Sequence, residues 1–202
     1  MAGTRDRITT ATNELFRRRG YHDTSLKDVV AASGATTGSL YHFFPGGKAE
    51  LAEAVLIGSG AAYQALFESI YDEAGSPEPA VQAFFDGAAD VLEATDFVDL
   101  CPIATVAAEV SSTDDRLRRA TAQVFASWTE ALALRLRDAG VGADDAEEVA
   151  TTVVATLEGS FVLARSRRDA DVVRAAGRRT QPLLRSVLPR AGSRRRTARS
   201  RR

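Results

Sequence analysis

Residue types that support common chemistries are scarce in this chain. A single cysteine, Cys101, occurs in 202 residues, so no internal disulfide can form and the usage fits a reducing compartment. The only histidines are His22 and His42, with no cysteine or carboxylate at metal-ligand spacing from either. Alternating runs of β-branched residues are few and prolines number six, while alanines are frequent, which favours an all-α protein. Without strands there is no place for a phosphate-cradling glycine loop. Gly58-Ser59-Gly60 is too short for a nucleophile elbow and falls on a helix. These absences argue against an enzyme, and no cofactor or metal is expected. No apolar run approaches the ~20 residues of a membrane span, and Met1 to Ile8 is polar, unlike a signal peptide. A cytoplasmic protein without a membrane partner is expected.

What is present is enough for a sizeable core, with 45% hydrophobic residues. The formal net charge of −1 hides an asymmetry. Residues 190–202 hold seven arginines and no acid; without them, 19 basic groups face 27 acidic ones, a net of −8. A chain with so acidic a body must keep any nucleic-acid contact local. The arginine-rich tail, 190–202, has no apolar periodicity and reads as disordered, either solvated or attracted to DNA without specificity.

The stretch that points to such a contact is Thr24–Lys48, TSLKDVVAASGATTGSLYHFFPGGK. Ser25 with Asp28 forms the start of a helix in the manner of a capping box. Leu26, Val29 and Val30 give that helix one apolar face, and Gly34 ends it. Thr36 or Thr37 caps a second helix whose buried side is Leu40 and Phe44. Thr37, Gly38, Ser39, Tyr41, His42 and Lys48 are then left facing outward, and no acid lies between Ala35 and Ala49. Hydroxyls, a phenol and helix N-terminal amides can meet base edges and phosphates in a major groove. Periodicity alone shows only a helix–turn–helix shape, which also occurs in proteins that never touch DNA.

Two runs of residues add to this. G-Y-x-x-T-S-L at Gly20–Leu26 and G-S-L-Y-H-F-F-P-G-G-K at Gly38–Lys48 closely resemble the DNA-binding domain of the TetR family of bacterial transcriptional repressors, over about Arg5 to Val55. The resemblance implies that Ser39, Tyr41 and His42 lie on the recognition helix and that Thr24, Lys27 and Lys48 approach phosphates. Val30 and the extra residue in Pro45-Gly46-Gly47-Lys48 resemble the subgroup that regulates multidrug and lincomycin-type export. CPIATVAAEVS at Cys101–Ser111 resembles the same subgroup again, in the body of the chain. Ala49 departs from the acidic residue usual after that lysine, which leaves the start of the following helix open.

Around this stretch, Thr4 caps a first helix to about Arg19, with Ile8, Ala11, Thr12, Leu15 and Phe16 on one face. Arg17, Arg18 and Arg19 close it, as a solvated helix end or as DNA contacts. A long fourth helix spans Lys48 to Glu73, with Leu51, Val55, Leu66, Phe67 and Ile70 inward. Gly58-Ser59-Gly60 within it marks either a close helix crossing or a hinge. Ala74–Pro79 is a loop, and a fifth helix runs from about Pro79 to Thr95. A helix then starts at Cys101-Pro102. Further helices follow at Ser112–Ala139, Asp144–Arg168 and within Asp169–Leu188, the last kinked or divided by Pro182. The expected organisation is a head at 1–47, a helical body at 48–189 and the tail.

Aromatic residues on different body helices each read as core, yet helical bundles line ligand pockets in the same way. By resemblance the body encloses an effector pocket, with Phe84, Cys101, Phe125 and Trp128 as its lining. Nothing in the sequence near Cys101 lowers its pKa, so a redox role has no support there. The last two helices carry Leu157, Gly159, Phe161, Leu163, Leu183, Leu184 and Leu188, a surface through which TetR-like proteins dimerise. The expected protein is a homodimeric repressor that binds double-stranded operator DNA and leaves it when a small apolar effector binds. An activator with the same head, or a helical ligand binder whose head no longer meets DNA, stays open from the sequence.

Overall fold

A computed structural model describes residues 3–189; the arginine-rich tail lies outside them. Among the described residues there are nine α-helices and no strands. The head comprises α1 (Thr4–Arg19), α2 (Leu26–Ser33) and α3 (Thr37–Phe43). The body comprises α4 (Gly47–Ala74), α5 (Pro77–Ala94), α6 (Pro102–Val110), α7 (Asp115–Asp138), α8 (Ala143–Arg167) and α9 (Asp171–Val187). No helix is long and apolar enough to cross a membrane among these residues.

Local chemistry sets the boundaries. Ser25 Oγ accepts from the Asp28 amide at 3.1 Å and Asp28 Oδ2 accepts from the Ser25 amide at 3.0 Å, so the capping box closes at both ends. Gly34 ends α2 in the left-handed region at φ 63°. Thr36 Oγ1 accepts the Ser39 amide at 3.0 Å and caps α3. Thr4 is the first residue of α1 and not its cap; the preceding Gly3 amide donates to Asp6 Oδ2 at 3.2 Å. Asp114 caps α7 through the Leu117 amide at 3.0 Å.

Three elements differ from the sequence reading. The loop expected over Ala74–Pro79 shrinks to Gly75-Ser76, because α4 runs on to Ala74 and Pro77 takes the first helical position of α5, where a missing N–H costs nothing. Gly58 and Gly60 do not interrupt α4. Pro182 does not divide α9, which stays one helix around it.

Two apolar clusters form the core. One contains Ile8, Phe16, Val29, Leu40 and Phe44 of the head together with Leu51, Val55, Ile103, Val106, Leu117 and Val124 of the body. The three head helices therefore do not close a core alone; α4, α6 and the first half of α7 complete it. The second gathers Phe85, Leu92, Leu132, Leu136, Val149, Val153 and Leu184 among α5, α7, α8 and α9. Arg174 ties α9 to α5, reaching Asp90 at 2.6 Å and Glu93 at 2.8 Å.

At Gly60, α4 and α7 meet closely. A Cβ there would lie 2.5 Å from Val124 Cγ1, and the Gly60 carbonyl accepts from Trp128 Nε1 at 2.9 Å. Leu66, expected inward, is 51% exposed at the edge of a cavity in the body.

Candidate DNA-binding head and body cavity

The second helix of the helix–turn–helix presents Thr37, Gly38, Tyr41 and His42 to solvent, with Tyr41 half exposed at 50% and Ser39 partly covered. Leu40 and Phe44 face inward. Lys27 stands exposed on α2. The exposed Phe43, which sequence reasoning left out, sets its ring edge-on to His42 at 5.0 Å.

Three of the residues expected at the DNA have structural uses, and Thr36 is among them as the cap the sequence predicts. Thr24 is 1% exposed, and its Oγ1 donates to the Gly20 carbonyl at 2.8 Å. It braces the turn between α1 and α2 and does not reach the surface. Lys48 is half-buried: its Nζ sits 4.2 Å from the Tyr21 ring centroid and 3.4 Å from the His22 carbonyl. Burial lowers its pKa from the ordinary lysine value. The Thr36 hydroxyl is occupied by the cap and by Ser39 Oγ at 2.9 Å.

Two joints connect the head to the body. At the end of α1, Arg17 Nη2 pairs with Asp99 Oδ2 at 2.7 Å, and the Leu100 amide donates to the Arg17 carbonyl at 3.3 Å. One residue before the end of α6, Glu109 Oε2 accepts the His22 amide at 2.7 Å. Gly20 makes this second joint possible. Its φ of 79° suits glycine, and a Cβ there would fall 1.8 Å from Glu109 Oε1.

Between α4, α5, α7 and α8 lies a cavity of about 350 Å³. Phe84, Cys101 and Trp128 line it, as do Tyr63, Phe67 and Phe161. Phe125 does not. It turns toward the lower cluster and meets Trp128 edge-on at 5.7 Å. Arg17, Asp99 and Leu100 form part of the cavity wall, so the first joint to the head is also cavity lining.

One polar residue of the wall was not legible in the sequence. Glu158 of α8 is half-buried as a residue, but its carboxyl end is buried there with Oε2 unpartnered, and this burial raises the carboxyl to about 7 despite contact with the Cys101 thiol. Burial, followed by the nearby Glu158 charge, holds the Cys101 thiol well above its usual range. Cys101 is thus a protonated wall residue, not an activated nucleophile.

Of the residues expected at the dimer surface, two are core. Leu157 is 8% exposed and Leu184 fully buried, both within the α5–α7–α8–α9 cluster. Phe161 lines the cavity, and Leu183 is partly covered. The open face of α8 and α9 carries Ala155, Gly159, Leu163, Val172, Ala176 and Arg179 around a shallow groove, with Leu163 50% exposed. Gly159 and Leu163 of this face are among the residues the sequence points to, while its alanines, Val172 and Arg179 are not, because small residues and an arginine do not stand out as an apolar surface.

A helix–turn–helix head joined through cavity-lining residues to a helical body is the arrangement of a DNA-binding transcriptional regulator. Comparison with known proteins agrees over nearly the whole chain. Residues 8–55 match the family of bacterial regulatory proteins of the tetR family, and residues 77–179 match the C-terminal domain of LmrA/YxaF-like transcriptional regulators. The HTH-type transcriptional regulator YxaF of Bacillus subtilis is 33% identical over 82% of this chain and 86% of its own. An HTH-type transcriptional regulator of Mycobacterium tuberculosis is 36% identical over 94% of this chain and 98% of its own. A TetR transcriptional regulator from Legionella pneumophila has the same fold, with a TM-score of 0.80 at 21% identity over 94% of this chain and 99% of that one. The chain belongs to the TetR family of transcriptional regulators, in its LmrA/YxaF-like group.

Proposed function

We propose that the protein is a homodimeric repressor that grips operator DNA through its heads and is released when a small, largely apolar effector enters the body cavity. Residues up to 47 act as the DNA head and 48–189 as the effector-binding and dimerising body. Lys27, Thr37, Gly38, Ser39, Tyr41 and His42 face the DNA, while Thr24, Thr36 and Lys48 hold the head in shape.

The sharing of Arg17 and Asp99–Cys101 between the cavity wall and the joint to α1 carries this reading. An effector that displaces this segment moves the end of α1 directly, and through α6 it moves Glu109 under the α1–α2 turn. In a dimer, such a shift changes the spacing of two heads that must meet successive major grooves about 34 Å apart. A coupling of ~1–3 kcal/mol is enough to change operator affinity about 5- to 150-fold.

The exposed face of α8 and α9 supports dimerisation. Gly159 and the alanines allow two helix pairs to approach closely around a two-fold axis.

The test is a gel shift of the purified protein on the intergenic DNA upstream of its own gene, at two salt concentrations. A discrete complex that resists competitor and weakens with salt is expected. Absence of a discrete complex overturns the DNA-binding part of the reading.

A further inference from the structure

Glu158 is out of place in the cavity it lines. The surrounding wall is built from aromatic and aliphatic side chains, among them Phe67, Phe84, Trp128 and Phe161. A buried acceptor is ordinarily paired, and a buried carboxylate more so. Glu158 Oε2 has no partner, and no ion pair to Glu158 is made among the described residues. The one cation of the wall, Arg17, is paired with Asp99 through Nη2 at 2.7 Å, and its buried Nε has no acceptor, Glu158 included.

The other ionisable groups facing the cavity do not supply the missing charge. Arg17 from α1 and Asp99 from the α5–α6 link neutralise each other. Tyr63 from α4 is pushed above its ordinary value by burial and stays a neutral phenol. Cys101, also in that link, stays a thiol. The helices α5 and α7 present no ionisable side chain to the cavity. The site therefore holds one unmatched acid in an apolar chamber.

We infer that the effector is a hydrophobic amine bound in its protonated form, with an ammonium N–H donating to Glu158 Oε2 and the apolar remainder lying among the aromatic rings. This rests on the reading of the cavity as an effector site and adds the charge of the ligand to it. An ammonium supplies both things that Glu158 lacks, a donor and a compensating charge, and at a buried carboxyl both count for more than in water. The aromatic faces add cation–π attraction around the same charge. A neutral ligand of equal shape would fill the chamber and leave the acid unmatched.

Ionisation of Glu158 is then part of binding. Because burial holds the carboxyl near neutrality, the empty site is partly protonated at pH 7, and an entering ammonium displaces that proton. Amine affinity rises with pH across about 6 to 7.5, as long as the amine itself stays protonated. A neutral ligand shows no such rise.

The experiment uses two probes of nearly the same shape, dibenzylamine and dibenzyl ether. The readout is fluorescence of Trp128, the only tryptophan of the chain and a wall residue of the cavity. In the wild-type protein the amine is expected to bind at least about tenfold more tightly than the ether. Glu158→Gln abolishes the preference and its pH dependence and leaves ether binding unchanged, while Glu158→Asp retains part of both. Thermal melts of the variants check that each is folded. Equal binding of amine and ether, or an undiminished preference in folded Glu158→Gln, overturns the inference and leaves the cavity as a site for neutral apolar effectors. Failure of both probes to quench Trp128 at millimolar concentration overturns the effector reading together with it.

Discussion

Thr24 and Tyr41 belong to the same head and have opposite roles, which single substitutions separate. Thr24→Val removes a buried hydroxyl that donates to the Gly20 carbonyl, so it destabilises the fold by about 1–3 kcal/mol and leaves operator affinity of the folded protein unchanged. Tyr41→Ala removes an exposed phenol from the recognition helix, so the melting temperature holds while operator affinity falls by about 1–3 kcal/mol. Melts and quantitative gel shifts on both variants check the pair. The sequence marked Tyr41 correctly as a surface residue because helical spacing put it opposite Leu40 and Phe44. It could not place Thr24, which lies in a turn where periodicity gives no direction. Glu158 was illegible for another reason: beside Leu157 and Gly159 it looks like an ordinary helix acid, and only the crossing of α8 with its neighbours buries it. That burial has a sign. The folded carboxyl titrates at about 7 against an ordinary value of 4.5, so the folded protein keeps a proton that the unfolded chain releases over this window. Its stabilising effect is full below about 4.5 and is lost as pH rises to about 7, amounting to up to about 3 kcal/mol. Urea unfolding from pH 5 to 7.5 should show this loss in the ligand-free wild type and a flatter profile in Glu158→Gln.

At the scale of elements, most helices were readable from caps and apolar spacing. Ser25 with Asp28, Gly34 and Asp114 set ends that the structure keeps. Errors gathered at Gly and Pro, where propensity argues for a break and packing decides otherwise. Gly60 is held by Val124 and by the Trp128 indole, a contact between residues 68 apart in the chain, which no local pattern reveals. Gly58 meets nothing within 4 Å, so nothing about packing requires glycine there. The two positions therefore respond in opposite directions. Gly60→Val overpacks the α4–α7 crossing and costs about 1–3 kcal/mol. Gly58→Ala adds helix propensity without a clash and stabilises by about 0.5–1 kcal/mol. Thermal or urea unfolding measures both. A hinge role for this part of α4 requires in addition that Gly58→Ala blunt the release of operator by effector; unchanged release with raised stability removes the hinge and leaves close crossing as the account of Gly60 alone.

For the whole molecule the decisive surface is the one between copies. The sequence pointed to Leu157, Leu163 and Leu184 alike, and Leu157 and Leu184 are spent on the protomer's own core. A single sequence cannot divide the apolar residues of a helix between an internal core and an external partner, because both faces follow the same period. The structure makes that division. Leu163 lies 50% exposed beside Gly159, Ala176 and Arg179, whereas Leu184 is fully buried. Leu184→Ala should open a cavity and cost about 2–5 kcal/mol of protomer stability. Leu163→Glu should spare the protomer, since that side chain makes little of its core. Around a two-fold axis each copy places the new carboxylate on the same self-complementary patch, so one substitution sets two like charges into one apolar interface and desolvates both. Sedimentation equilibrium at micromolar concentration should then show a folded monomer. Binding to a two-site operator should weaken about 100-fold or more as the second head loses its tethered approach, while binding to a single half-site stays as weak as before. A Leu163→Glu protein that remains dimeric would place the two-fold interface elsewhere on the body, and the argument that small residues on α8 and α9 seat a second copy would fall with it.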